Sequence, residues 1–468
     1  MLIRNLSKIK YEFNAKNISH DAGALSLYSY TEQIGLKEAV KTSFDEDREE
    51  SKAGPKIQHT KGDVINEMIM GYMKGYANPT EMSRTINDPV IETLTNKKIP
   101  SQATFSRVNT SFNKKDEAKL KAFSKKMIQD YLESCVRKNN GEKLEVVNLS
   151  DDSTKIQTYG NQEGGEYISH YRVVGYHPDL ITEDGMKLIM TGILREGQVY
   201  SSNGSELLIK EVIDFMKPYT KKIIFRADSA YGKPEILEVL NDDDIEIEYF
   251  IKAKTYKSWF RNCDLKITFK DQEYHPLELP KEYFEEVNDK GEKKLKPKYF
   301  EFMHQVKTWK KAEKIIIKVT YREQEQATLL EEMNKDIEML ITNASLEKGE
   351  DYFKEYGKRG KQEQIIEEFK NDSFGGNLSC KEKVQNSCVF FLKIIAHNLM
   401  QILRLETLYG TKYANCRTTT LRQILVKIGG KIIKHSRQLW INLSRSFPYQ
   451  KWYQIVMERI PIIQFSLC

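Results

Sequence analysis

From Lys61 onward, apolar residues follow one rhythm and then another. Val64, Ile65, Met68, Ile69 and Met73 recur at intervals of one, three and four, which puts them on one face of a helix. Asn78-Pro79, Asp88-Pro89 and Pro100-Ser101 follow, each suited to cap or stop a short helix. Helices punctuated this way fit a DNA-binding unit of helix-turn-helix type, and they fit a plain helical bundle equally well. A longer polar helix is expected over about 114–138. The text before residue 58 is polar and closes in a charged run, FDEDREESKAGPK (44–56), that reads as a linker or exposed loop.

At Leu144 the rhythm changes. LEVVNL reads as a strand running into the acidic corner Asp151-Asp152, and further strands are expected over 167–176 and 187–194. A helix over 205–216, closed by Pro218, leads to a short buried strand, KIIFRA (222–227). A helix after Gly232 and a strand over 248–253 complete an α/β order. Residues 254–337 interrupt it with β-rich text (LKITF, YFEFMHQV, KIIIKVTY) and read as an inserted β subdomain. IEMLIT (337–342) leads back to helices from Tyr352. The expected regions are a helical one at 1–138, an α/β domain at 139–375 with its insertion, and a basic helical one at 376–468.

Composition narrows the class. With 468 residues, 40% hydrophobic and 30% charged, the chain is too long for one ordinary core and too apolar for wholesale disorder. Its greasiest stretch, 388–402, is broken by Lys393, His397 and Asn398 and falls short of the roughly 20 apolar residues of a membrane helix. The first residues lack the apolar core of a signal peptide, so a cytoplasmic protein with no membrane partner is expected. The six cysteines form no CxxC pair and the histidines no HExxH, so zinc is not expected. Charge is uneven. Residues 376–468 hold fourteen Lys and Arg against three Asp and Glu, which leaves the rest of the +6 chain at −5. A basic end on a near-neutral body suits a polyanion, although a basic face also serves solubility alone.

Three acids stand out by position. Asp152 ends the first strand of the α/β domain, Asp228 ends the fourth, and Glu363 lies on the helix after the insertion. Ligands bind beyond the carboxyl ends of strands in open α/β sheets, and carboxylates are the hard oxygen donors that Mg²⁺ takes. Two such ions about 4 Å apart can activate an attacking oxygen and stabilise a leaving one. Blander readings exist for each: a cap for Asp228, a turn for Asp151-Asp152, a solvated surface for Glu363. A helical wheel bears on the last. At about 100° per residue, Tyr356, Arg359, Glu363 and Lys370 point to roughly 0°, −60°, −20° and −40°, with Glu367 near +20°. Such a face suits either solvated ion pairs or a site that holds metal and grips phosphate.

The spacing Tyr356-x2-Arg359-x3-Glu363-x6-Lys370 resembles the Y-R-E-K signature of bacterial insertion-sequence transposases with a DDE active site. Other stretches of this chain are similar to one branch of that family: DSTKIQTYGNQ (152–162), GYHP (175–178), LREG (194–197) and RADS (226–229). PSQATFSR (100–107) and AHNL (396–399) agree as well, so the resemblance spans about residues 60–460. It implies an RNase H-like catalytic domain, a mixed sheet flanked by helices with a β-rich insertion. It also implies a cut-and-paste, hairpin-forming reaction. Asp152, Asp228 and Glu363 would hold two Mg²⁺ ions, with Mn²⁺ as an alternative, and Tyr356, Arg359 and Lys370 would position DNA. The implied partners are double-stranded DNA, as inverted-repeat ends and as target, and a second copy of the chain in a homodimer on DNA. Many relatives carry an acid two residues before the first catalytic one, where this chain has Ser150. Asp151 and Asp152 both stay open as first ligand, the Asp-x-Thr context favouring Asp152. Trp309 is a candidate aromatic platform for a flipped base, or a packed indole. Two rival functions share these residues: an RNase H-like nuclease without strand transfer, and a domesticated DNA-binding protein.

Overall fold

In the computed structural model, the apolar rhythm that starts at Leu144 builds one sheet of eight strands. The structure describes residues 9–45, 58–241, 244–254, 257–261, 263–288, 292–322, 334–435 and 438–467, so most of the charged run at 44–56 lies outside the described residues. In chain order the strands are β1 (Leu144–Ser153), β2 (Asp179–Glu183), β3 (Leu188–Ile193), β4 (Thr220–Ala227), β5 (Glu246–Ala253), β6 (Lys298–His304), β7 (Glu313–Tyr321) and β8 (Lys335–Thr342). Across the sheet they run β6-β7-β8-β5-β4-β1-β2-β3. β4 lies parallel to both β1 and β5, and every other pairing is antiparallel. Parallel neighbours need a crossover. The helix Pro234–Leu240 supplies the one from β4 to β5, and the helix Ser205–Met216 leads from β3 into β4. This is a mixed sheet flanked by helices.

Three expectations change here. The strand expected over 167–176 is a hairpin, Glu166–Ile168 with Val173–Tyr176, which joins Ile156–Gln157 in a separate three-stranded sheet. The partner of β1 is instead β2, whose five residues are all buried although Asp179, Thr182 and Glu183 are polar. Their side chains are spent on hydrogen bonds. Asp179 accepts from Tyr231 at 2.6 Å and Ser205 at 2.5 Å, and Glu183 accepts from the backbone N–H of Asn148 and Met186. Lastly, the insertion is not a separate subdomain throughout. Its strands β6 and β7 continue through β8 onto the edge of β5, leaving two small hairpins outside the sheet.

Two glycines in the motif stretches close this region. A Cβ on Gly175 would stand 2.1 Å from the Ile156 carbonyl oxygen, and one on Gly197 would stand 2.2 Å from that of Glu166 and 2.4 Å from that of Gly175 itself. The obstacles are main chain, so nothing can rotate away. Arg226 makes a second fastening. Only 1% exposed on its side chain, it donates to the Glu355 carbonyl (2.7 Å), the Glu355 carboxylate (3.0 Å) and Asn148 Oδ1 (3.0 Å). The helix Gly349–Gly357 is thereby bound to β1 and β4. Behind Arg226 sits Asp184, which accepts from Ser150 and Thr182.

The described chain divides into two compact units, and the sheet belongs to the one made of residues 135–157 and 164–366. The other joins residues 1–134, 158–163 and 367–468. Its axis is the helix Lys383–Thr407, buried along nearly all its length and packed on the equally buried helix Lys61–Lys74. The first of these is apolar and long enough to cross a membrane, yet 94% of its most apolar window is buried in the fold. Its polar residues have partners: Lys393 donates to the Phe374 and Asn377 carbonyls, and His397 meets Ser373. Asn78, Asp88 and Ser101 each cap a helix as expected, with Pro79 and Pro89 in the first turns of two of them. Two helices, Leu25–Gln33 and Leu36–Asp45, occupy text read as merely polar. The basic end is not wholly helical, because Gly430–His435 and Gln438–Leu443 form a hairpin beside Ile18–Ser19.

Replacing Gly175 or Gly197 with Ala should destabilise the sheet unit by about 1–3 kcal/mol, the usual cost of overpacking. Gly357→Ala, with nothing within 4 Å of the added methyl, should not. Urea unfolding of the three variants checks this, and equal midpoints would refute the steric account. A second expectation concerns pH. Burial pushes the carboxyl of Asp184 up to about 6, from an ordinary 3.8. The folded chain therefore keeps a proton that the unfolded chain has released, and this group's contribution to stability falls as pH rises from about 4 to about 6. Asp184→Asn should make the loss of stability across that window shallower. An unchanged slope of unfolding free energy against pH would count against it.

Candidate active site

β1 and β4 bring the first two acids to one edge. Their parallel register pairs Ser150 with Arg226 and Asp151 with Ala227, so the following residues, Asp152 and Asp228, emerge together at the carboxyl ends of the strands. Alternation along β1 separates its two acids. Asp151 is fully buried, and among the described residues no hydrogen-bond donor reaches either of its oxygens. Burial first, and the neighbouring Asp179 second, hold its carboxyl well above the usual range. Asp152 turns the other way, toward Arg359.

The single helix expected through Tyr356 and Lys370 is two. Gly349–Gly357 ends, Lys358 and Arg359 form a turn, and Gly360–Asn371 begins. Glycines at 357 and 360 weaken the helix at that point. The tighter i to i−3 bonds of Arg359 N–H to Tyr356 and Gln362 N–H to Arg359, both 2.9 Å, replace the regular ladder. A helical wheel carried across this turn does not describe it. What the turn does is aim Arg359 at the sheet edge. Its guanidinium donates to Asp152 Oδ2 at 2.7 Å and to Glu363 Oε1 at 2.8 Å, while its buried Nε–H meets no acceptor among the described residues.

The electrostatics follow from this crowding. Burial pushes the Asp152 carboxyl up to about 7; Arg359 lowers it, while Asp228, Asp179 and Glu363 raise it further. Arg359 loses hydration by burial, yet Asp152, Tyr356, Asp228 and Glu363 together raise its affinity for its proton. The phenol of Tyr356, packed against the cluster of Phe250, Ile316, Leu340 and Tyr352, is pushed up to about 12, chiefly by burial. Asp228 turns one carboxylate oxygen to the N–H of Ala230, 2.7 Å away. Tyr356, Arg359 and Glu363 thus gather at the edge that carries Asp152 and Asp228. Lys370 lies two turns beyond Glu363 on the same helix, in the stretch that belongs to the other compact unit.

Among the described residues no three His, Cys, Asp or Glu side chains stand close enough, as placed, to ligate one metal ion. The donor chemistry nevertheless suits a divalent cation. Three carboxylates share one edge, burial and then the neighbouring acids disfavour the anion of Asp152, and the Arg359 guanidinium bridges Asp152 and Glu363.

Several residues here escaped sequence reasoning. Asp179 anchors Tyr231, Ser205 and Arg195, and Arg226 ties the Tyr356 helix to the strand of Asp228. Arg195 and Arg226 fall inside the LREG and RADS stretches, but a motif letter carries no sign of burial. Tyr171 stands near the acids as well, its hydroxyl 3.5 Å from the Ser153 carbonyl. Trp309, the expected platform, is 6% exposed and packed edge-on against Trp259, so its indole offers no open face.

Comparison with solved structures finds a likeness to a piggyBac transposase synaptic complex with hairpin DNA, at 12% identity and a TM-score of 0.37, covering 86% of this chain and 79% of that one. Among curated proteins no sequence matches. The family described as transposase DDE domain group 1 matches residues 3–464, nearly the whole chain. The chain belongs to that family and is a transposase.

Proposed function

We propose that this transposase cuts and rejoins DNA by the cut-and-paste route of the bacterial insertion-sequence branch its Y-R-E-K spacing resembles. Asp152, Asp228 and Glu363 would hold two Mg²⁺ ions between them. The observation that carries this is the shared edge, where two strand-end acids and a helix acid meet around Arg359. Bound there, divalent cations supply charge neutralisation at phosphate and a stronger oxygen nucleophile.

The chain's own residues have distinct tasks in this reading. Arg359 now spends two donors on carboxylates, and the same planar fork fits a phosphate in two places. With the acids turned to cations, the guanidinium is released to clamp the strand being cut. Tyr356 walls the site from water, and Lys370 meets the phosphate backbone further along the DNA. Asp151 fills the buried side of β1, which leaves Asp152 facing outward. Exposed Lys412, Lys431, Lys434, Arg445 and Lys451 suit the phosphate backbone of duplex DNA, as inverted-repeat ends or as target. Two copies of the chain would act as a homodimer across the paired ends.

Asp152→Asn, Asp228→Asn and Glu363→Gln should each slow Mg²⁺-dependent nicking of DNA carrying the element's end on the order of 10²–10³-fold, with end binding retained. Full activity in Asp152→Asn, together with loss in Asp151→Asn, would move the first ligand by one residue. Strand transfer separates a transposase from a plain nuclease, because a 3′-hydroxyl must be positioned for a second attack. On a denaturing gel the unaltered chain should give nicked strands and then a slower covalent hairpin. Arg359→Ala should stall at the nick, with the second step down about 10²-fold, and Arg359→Lys should restore little. Release of linear strands alone by the unaltered chain would sink the hairpin route.

A further inference from the structure

Tyr171 stands beside the acids and has no task in the chemistry above. It belongs to the tip of the hairpin formed by Glu166–Ile168 and Val173–Tyr176. Ser169, His170 and Arg172 at this tip are exposed, whereas Tyr171 is half-buried. Its N–H donates to the Ile168 carbonyl at 3.2 Å, which closes the turn. Arg172 follows with φ at 53°, a left-handed conformation that is costly for a residue with a side chain. This strained turn sets the Tyr171 ring edge-on to the imidazole of His177, 5.9 Å between ring centres. His177 is itself buried and anchored, with Nδ1 2.9 Å from the Val199 carbonyl oxygen.

Held in this way, the Tyr171 hydroxyl lies against the end of β1. It is 3.5 Å from the carbonyl of Ser153, the residue after Asp152, which is the outer limit of a hydrogen bond. Its proton is therefore only loosely engaged. Burial first, then Asp152 and Asp228, raise the phenol's affinity for that proton, so the group is a donor. A cation accompanies it. The Lys155 ammonium lies 5.3 Å from the ring centre, and no carboxylate among the described residues pairs with it. Lys155 comes three residues after Asp152, so chain and contact both place it at the acids' edge.

We propose that Tyr171 and Lys155 are a phosphate-binding pair that holds the DNA strand being cut, at a phosphate next to the scissile one. This rests on the reading of the site given above and adds two positioning residues to it. An O–H donor and an ammonium standing together ask for an anion that can accept from both. Hydrogen bonds to a charged oxygen are roughly twice as strong as those between neutral groups. The ammonium now rests on the ring in a weak cation–π contact, which a phosphate readily outbids. Neither group reads a base edge, so the pair sets the register of the strand and not its sequence. The scissile phosphate itself falls to the acids' cations and Arg359, which leaves its neighbour for this pair.

The test uses the full chain and a duplex carrying the element's end, with binding measured in EDTA and nicking in Mg²⁺ at saturating DNA. Tyr171→Phe keeps the ring against His177 and removes only the donor. Its nicking should fall about tenfold with the unfolding midpoint unchanged. Lys155→Gln should lower the slope of log K against log salt by about 0.9, and Lys155→Arg should restore it. A second probe replaces single phosphates near the cut, one at a time, with a neutral methylphosphonate. At one position the neutral group should weaken binding by the unaltered chain as much as Lys155→Gln does, and add nothing to that variant. The gap between Tyr171→Phe and the unaltered chain should close at the same position. Losses that add at every position overturn the proposal, and so does nicking by Tyr171→Phe at the unaltered rate. In either case cutting by the unaltered chain leaves the transposase reading standing. An unaltered chain that neither binds nor nicks the duplex overturns both.

Discussion

Because β1 and β4 run parallel and in register from Leu144 opposite Thr220 to Asp151 opposite Ala227, two acids 76 residues apart emerge at one edge without any loop having to bring them there. Strand pairing leaves little freedom in that relation. A slip of one residue would turn Asp152 inward and Asp151 outward, exchanging an acid that faces Arg359 for one buried against Asp179. The rest of the arrangement guards the register. β2 covers the other flank of β1 with polar residues that are fully hydrogen-bonded, and Arg226 reaches from β4 to Asn148 on β1 and to the helix of Tyr356. A buried cation is costly unless its donors are used, and here the price is met by two carbonyl-type acceptors and a carboxylate.

What the sequence disclosed follows the same division. Elements whose apolar residues keep a single period were legible. The helix Ser205–Met216 has the expected bounds, β4 and β5 each begin two residues early, and the three short helices start at their capping residues. Elements that bury polar groups were not. β2 reads as surface because three of its five residues are polar, and only the tertiary partners of Asp179 and Glu183 explain their burial. The acids at 152, 228 and 363 could be picked out by position, and Arg359 by its spacing from Glu363. Its actual task of bridging Asp152 and Glu363 depends on a turn that two glycines create, which no helical wheel represents. The early helices were missed for a simpler reason: Leu27, Tyr30, Val40 and Phe44 are a sparse stripe among polar neighbours.

Charge counting needs a similar correction. Of the fourteen basic residues after 375, Lys393, Arg404 and Arg422 are buried at 1%, 2% and 6% exposure. Each closes backbone carbonyls: Arg422 takes those of Tyr72 and Met73 at 2.9 Å, and Arg404 that of Ala414. They are internal struts of the helical unit and offer nothing to a polyanion. Lys427, paired with Asp21, is likewise partly committed. The electrostatic reach of the basic end therefore rests on fewer side chains than its composition suggests, and these lie mostly around the hairpin and the last helix.

The contact at Gly175 and Gly197 has a consequence for how such a protein can vary. Where side chains crowd one another, a change in one can be answered by a change in its neighbour, and lineages drift through such compensations. At these two glycines the neighbours are carbonyl groups of Ile156, Glu166 and Gly175 itself, which every amino acid possesses. No second substitution can make room. The bundle of hairpin and loop beside the acids is thus a fixed hub, and divergence in what the enzyme recognises has to be accommodated in the side chains that radiate from it.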